Sequence, residues 1–304
     1  MYSIQTFNQR LNESLQTNHK TLRDFRHKID QLFKDTLKEM ENTKDICIIG
    51  AGKMREFSLS FLLRFCQHMT LYDIDIETVK QSVEALQLSD EAMNKIVYHQ
   101  VDVTGFEQIN FFKNLIALFQ KPLNYKKLDQ FLTTHFKQLE SYTFFDDKYY
   151  DVIYVSPIYT QLVYYQLLTV CAHIRQRTTE EHYIKYVEGQ VLDYMPTLLN
   201  RFNQSLYRHL KKEGQLIVMS DIFELEEGSQ FEREIKESMK NNTMNDHYRR
   251  YRDTYGMGLG DFGLYNLEEY LKKGFEQWLI WPFSDNKEYV VKIQTYTHNK
   301  GGSL

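Results

Sequence analysis

Asp45-Ile46-Cys47-Ile48-Ile49-Gly50-Ala51-Gly52-Lys53-Met54 decides the reading of this chain. The run Ile46–Ile49 is continuously apolar and mostly β-branched, as a strand covered on both faces of a parallel sheet must be. It ends in the glycine pair Gly50 and Gly52, and a helical pattern follows through Phe57, Leu59, Phe61, Leu62, Leu63 and Phe65. Glycines between a strand and a helix let the backbone approach a ligand closely, because no Cβ intrudes. The helix start is then expected to offer free N–H groups and a partial positive charge.

Toward the C-terminus the alternation continues. His68–Tyr72 reads as a second strand ending in Asp73-Ile74-Asp75, a helix follows over 77–86, and Ile96–Val101 is a third strand ending in Asp102. Residues 105–145 carry helical patterns longer than a simple crossover needs, which predicts a helical insertion before a fourth strand at Asp151–Val155. Helices over about 158–175 and 188–211 lead to a fifth strand, Gln215–Ser220, ending in Asp221. Phe275–Phe283 and Glu288–Tyr296 then read as two strands joined by a short polar turn over 284–287. Strands alternating with helices, with acids at the strand ends, predict a doubly wound α/β sheet.

Toward the N-terminus, Ile4, Phe7, Leu11 and Leu15, then Leu22, Phe25, Ile29, Leu32, Phe33 and Leu37, recur at helical spacing. The chain thus divides into a helical extension, residues 1–44, and one large α/β domain, residues 45–298. The apolar face of the extension must be buried. Its own chain is the first expectation, and a homodimer interface through the N-terminal helices is the other.

Composition narrows the function. The net charge of −4 gives no sign of the general attraction that polynucleotide binders use, which favours a small-molecule substrate and leaves nucleic acid open through a local basic patch. The three cysteines, Cys47, Cys66 and Cys171, are far apart among apolar residues, so neither a disulfide framework nor a metal site is expected. No stretch has the length of a membrane span and the N-terminus lacks a signal-peptide apolar core, so a cytoplasmic protein is expected.

Asp73 stands where an acid at the end of the second strand accepts hydrogen bonds from a ribose. A nicotinamide dinucleotide makes the same demand, and Ile49–Met54 looks like some reductase openings, so an NAD(P)-dependent reductase is the alternative. Against it, Arg55 occupies the place of a third fingerprint glycine, Asp102 is placed to accept from an adenine amino group, and a terminal strand hairpin fits a plain dinucleotide fold poorly.

Cys47–Leu63, Leu71–Asp75, Val101–Gly105, Asp151–Gln161 and Gln215–Asp221 resemble the successive motifs of class I S-adenosylmethionine (SAM)-dependent methyltransferases. The resemblance spans roughly residues 45–298. It implies a Rossmann-like, mostly parallel seven-stranded sheet with an antiparallel last strand, and SAM as cofactor across the C-terminal ends of the first strands. On it, Gly50, Ala51 and Gly52 line the methionine and ribose part, and Asp73 with Ile74 takes the ribose hydroxyls. Asp102 and Val103 meet the adenine, and Ser156 and Pro157 lie near the sulfonium. One departure is Lys53-Met54, where a third glycine usually follows. Some bacterial members of undefined substrate carry an acid or amide after the glycine pair, a role that Glu56 fills here.

Residues 240–265 hold a second Gly-x-Gly-x-x-Gly, at Gly258, Gly260 and Gly263, with no buried strand before it. The cluster reads instead as a mobile loop or lid, with His247, Tyr251 and Tyr255 as candidate substrate contacts. No catalytic residue is named, because methyl transfer from a sulfonium needs chiefly in-line alignment. A methyltransferase is therefore the leading reading, and a SAM-binding protein without turnover the further alternative.

Overall fold

Period-two alternation along the central strands sends successive side chains to opposite faces, and this sorts the apolar residues into two cores. The structure, a computed structural model, describes residues 5, 9, 19–38, 40, 44–284 and 287–299. The pattern at Ile4, Phe7, Leu11 and Leu15 lies outside the described residues.

After helix α1 (His19–Lys38) come β1 (Asp45–Ile49), a four-residue helix α2 (Leu59–Leu62), β2 (His68–Asp73), α3 (Ile76–Glu84), α4 (Asp90–Met93) and β3 (Ile96–Gln100). The insertion forms α5 (Phe111–Leu118) and α6 (Tyr125–Glu140) ahead of β4 (Tyr150–Val155). Then follow α7 (Tyr164–Arg175), α8 (Glu181–His209), β5 (Leu210–Leu225), α9 (Gln230–Lys240), α10 (Met244–Tyr255), α11 (Leu259–Leu267), β6 (Lys272–Ser284) and β7 (Lys287–Thr297).

The seven strands form one sheet in the order β3-β2-β1-β4-β5-β7-β6. β1 to β5 are parallel, and β7 is inserted antiparallel between β5 and β6. This is the doubly wound, Rossmann-like sheet with an antiparallel last strand that the sequence predicts. One face carries Ile46 and Ile48 of β1, Val152 and Tyr154 of β4, and Ile217 and Met219 of β5, packed with α1 and α3. The other carries Cys47, Ile49, Ile153, Val155, Leu216 and Val218, packed with α5, α6, α7 and α8. The lower ends of β1, β4 and β5 are pinned by charge. Asp151 Oδ2 accepts from the Lys44 and Asp45 amides and from Lys211 Nζ, each at 2.9 Å, and Lys211 also reaches Asp45.

The apolar face of α1 (Leu22, Phe25, Ile29, Phe33, Leu37) is buried on its own chain. Phe33 packs against Tyr154 and Phe57, ring centroids 5.2 and 5.8 Å away, and Phe25 stacks on Trp281 of β6 at 6.5 Å. The described part of the extension is thus a layer of the α/β domain.

Two expectations need correction. The helical pattern after the glycine pair yields only α2, which starts at Leu59 with Ser58 as its N-cap, so the glycine turn does not abut a helix N-terminus. Residues 240–265 are not a loop either. They form α10 and α11, and Gly260 and Gly263 serve packing. A Cβ on Gly260 would fall 2.6 Å from the Asp221 carbonyl oxygen, and one on Gly263 2.6 Å from the Tyr159 ring.

Because Phe33 has 0% exposure and bridges α1 to β4, Phe33→Ala should cost about 3–5 kcal/mol. Urea unfolding of the full chain checks this, and a loss below about 1 kcal/mol would mean that α1 is an independent appendage.

Candidate functional site

β1 sits between β2 and β4, so the winding of the sheet reverses there and leaves a crevice at the C-terminal strand ends. A cavity occupies that crevice. Its floor is Gly50 and Gly52 after β1, Asp73 and Ile74 after β2, Asp102 and Val103 after β3, and Ser156 and Pro157 after β4.

Gly50 makes the close approach possible. Its φ is +73°, its N–H donates to the Tyr72 carbonyl at 2.9 Å, and a Cβ there would meet Ile158 Cγ2 at 2.5 Å. Gly52 (φ +47°) donates its N–H to Asp73 Oδ2 at 2.8 Å, while Asp73 Oδ1 accepts from the Asp75 amide, also at 2.8 Å. Both oxygens of the Asp73 carboxylate are thus held by backbone amides, and the residue lines the cavity. Burial raises its pKa from the ordinary carboxylate value, and the amide bonds oppose the rise. Met54, at the place of the usual third glycine, adopts φ +48°, the left-handed conformation glycine takes without strain. Its side chain is buried in the core under α1, so packing holds it there.

Two of the predicted site residues have other work. Ala51 is buried in that same core and does not line the cavity. Asp102 lines it, yet its carboxylate is engaged in its own turn. Oδ1 accepts from the Thr104 amide at 2.9 Å and the Thr104 hydroxyl at 2.6 Å, and Oδ2 accepts from the Glu107 amide at 2.8 Å.

The remaining walls were not legible as site residues. Leu22 comes from α1, Gln161, Leu162 and Gln166 from the segment entering α7, and Trp281, Pro282 and Phe283 from β6. Periodicity assigns each to a helix or strand but cannot show which elements overhang the strand ends. α1 also holds the chain that follows the glycine turn: Arg26 Nε donates to the Arg55 carbonyl at 3.0 Å, and Asp30 Oδ1 accepts from the Ser58 amide at 2.7 Å.

His247, Tyr251 and Tyr255 are not brought to this cavity. They lie on α10 beside a separate depression with Glu224, Phe231 and Glu234, where Tyr251 packs on Phe223 at 4.8 Å and Tyr255 is 74% exposed. The structure thus gives them no place at the strand-end site. Among the described residues no cluster of His, Cys, Asp or Glu is arranged to hold a metal, and the three cysteines are buried and free. No helix among them is long and apolar enough to cross a membrane.

Glu56 is a titratable group on the cavity wall that is held near neutrality. Burial pushes its carboxyl up to about 7, against the pull of its own and the Arg55 amide and of the Arg26 and Arg55 guanidiniums. A carboxyl near neutrality inside a cavity can hold or release a proton at working pH.

No protein-family model matches the sequence, and no curated protein does. Among solved structures, the chain is similar to the N-methyltransferase NodS from Bradyrhizobium japonicum WM9 in complex with S-adenosyl-L-homocysteine (12% identity over 90% of this chain and 87% of that one, TM-score 0.42). It is similar also to a putative RNA methyltransferase, PH1948, from Pyrococcus horikoshii (11% identity, 100% of both chains, TM-score 0.42). A third is TehB from Haemophilus influenzae (9% identity, 88% of this chain and 62% of that one, TM-score 0.42). Likenesses at this level carry nothing about ligand or reaction, for which the strand order and the cavity are the grounds.

The raised Glu56 pKa has a defined effect on stability. The folded state holds this proton more tightly than the unfolded chain, so its contribution is full below about 4.5 and is lost as pH rises to about 7. Glu56→Gln, which mimics the protonated acid, should melt close to wild type at pH 4.5 and be more stable by about 1–3 kcal/mol at pH 8. Thermal melts of both proteins across that range check this, and a pH-independent difference would refute it.

Proposed function

We propose that this chain binds SAM in the strand-end cavity and methylates a small-molecule acceptor that enters beside it. The observation that carries the reading is the glycine turn with the Asp73 clamp and no helix N-terminus behind it. Asp73 presents a fixed carboxylate edge for a ribose diol, the demand that any adenosyl cofactor makes. A dinucleotide also needs neutralisation of its pyrophosphate, and here the following helix begins only at Leu59 and has four residues. A cofactor without phosphates fits this turn better than NAD(P).

In this reading Ile74, Val101 and Val103 form an apolar bed for the adenine, and Gly50 with Ser156 and Pro157 brackets the methionine side. When bound, SAM supplies an electrophilic methyl group on a sulfonium. The protein's part is to align the acceptor in line with it, which can supply several kcal/mol of the barrier. Leu22, Trp281 and Phe283 keep water from that space, and Glu56 stands ready to take a proton from an acceptor that is protonated at neutral pH. Enclosure by α1 and β6, with the net charge of −4, favours a small acceptor over a polynucleotide. Three buried free thiols fit a reducing, cytoplasmic setting.

Calorimetric titration with SAM, S-adenosylhomocysteine and NADPH tests the reading. Micromolar binding of the adenosyl ligands is expected, weakened about 10–100-fold in Asp73→Ala, the loss of hydrogen bonds to a charged group. Binding of NADPH alone would overturn it in favour of a reductase. Adenosyl binding with no methylated product in metabolite extracts would reduce the assignment to a binding protein.

A further inference from the structure

Gln166 lies in the first turn of α7, 3% exposed, on the wall of the same cavity. Both ends of its amide are buried, and among the described residues neither Nε2 nor Oε1 has a hydrogen-bond partner. Most buried side-chain polar atoms are paired, and an amide unpaired at both ends costs stability in the empty protein. Other buried amides of this fold are satisfied. Asn203, for example, accepts from the Tyr159 hydroxyl and donates to the Gly263 carbonyl and to Asn266. Gln166 is therefore the exception among the buried amides, and it belongs to the cavity wall.

We propose that Gln166 determines specificity for the acceptor, and that the acceptor carries a neutral carboxamide or lactam which pairs with it in plane. This rests on the cofactor reading of the Asp73 half of the cavity. The Gln166 amide needs one acceptor for Nε2 and one donor for Oε1, side by side. A carboxamide or lactam supplies both from one planar group, and the pair is satisfied whichever way the Gln166 amide is turned. A carboxylate lacks the donor, an ammonium lacks the acceptor, and a single hydroxyl reaches one end only. Leu162, Trp281 and Phe283 give the same cavity apolar surface for the body of such a molecule. A site built to pair a polar group rejects the analogue lacking it strongly, because its own buried atoms are then left unpaired.

The test uses the full chain saturated with S-adenosylhomocysteine and two probes of equal shape, benzamide and benzoate, at pH 7.5. Ligand-observed NMR titration should show benzamide bound at least about 10-fold more tightly than benzoate, the difference of a hydrogen-bonded pair. Gln166→Met and Gln166→Leu should each abolish that preference while leaving the affinity for S-adenosylhomocysteine within about twofold, a negligible free-energy change. Gln166→Met should also melt roughly 2 °C higher, since an unpaired buried amide is replaced by an apolar side chain of similar length. Equal binding of the two probes, or binding of neither, overturns the inference. A fall in S-adenosylhomocysteine affinity in both variants overturns it too, by assigning Gln166 to the methionine end of the cofactor. Failure of the wild type to bind S-adenosylhomocysteine at all would sink the cofactor reading instead, and the same probe comparison on the ligand-free protein then decides the role of Gln166.

Discussion

The reversal of winding between β1 and β4 is the constraint on which the site depends. The chain leaving β1 and the chain leaving β4 part toward opposite faces, yet the strands themselves stay in register, with Ile49 beside Val155 and the Ser156 amide bonded to the Ile49 carbonyl at 3.0 Å. The two exits are thus held a strand spacing apart with nothing regular between them. Only a residue without a side chain can stand at the first exit, because Ile158 from the second already fills the space a Cβ would need. The glycine, the cavity and the position of the Asp73 carboxylate all follow from that geometry.

What closes the crevice comes from the two ends of the chain. α1 crosses one face and tucks Leu22 over the opening, and β6, at the far edge of the sheet, brings Trp281 and Phe283 to it. Phe25 stacked on Trp281 joins these two contributions, so the roof is a single packed unit. Aromatic side chains suit this task because a few of them bury much area with little loss of conformational freedom.

The first three strands were legible because each is a short run rich in apolar and β-branched residues that stops at or just before an acid or a glycine, and that signal is local. Asp73 was readable for the same reason. Asp102 was only half readable: the strand-end position is plain in the sequence, but the Thr104 and Glu107 contacts that occupy its carboxylate belong to a tight turn with no strong signature. The glycines at 260 and 263 misled because glycine marks both mobility and close packing, and only the third dimension shows Tyr159 lying against one of them. Gln166 gave no sequence signal at all. It sits on a helix whose periodicity places it in the interior, and an unpaired amide is visible only once every neighbour has a position.

The bonds from Arg26 and Asp30 to the chain around the glycine turn make α1 more than a cover. Leu22 belongs to the cavity wall, so a ligand that packs on it favours docking of the helix, and by thermodynamic reciprocity the docked helix favours the ligand. A ligand in the crevice then slows hydrogen exchange along α1, although it touches little of it beyond Leu22. Conversely, proteolytic loss of the helix weakens binding without removing any of the residues at the strand ends. This helix is in this sense a remote control on occupancy, written in backbone contacts.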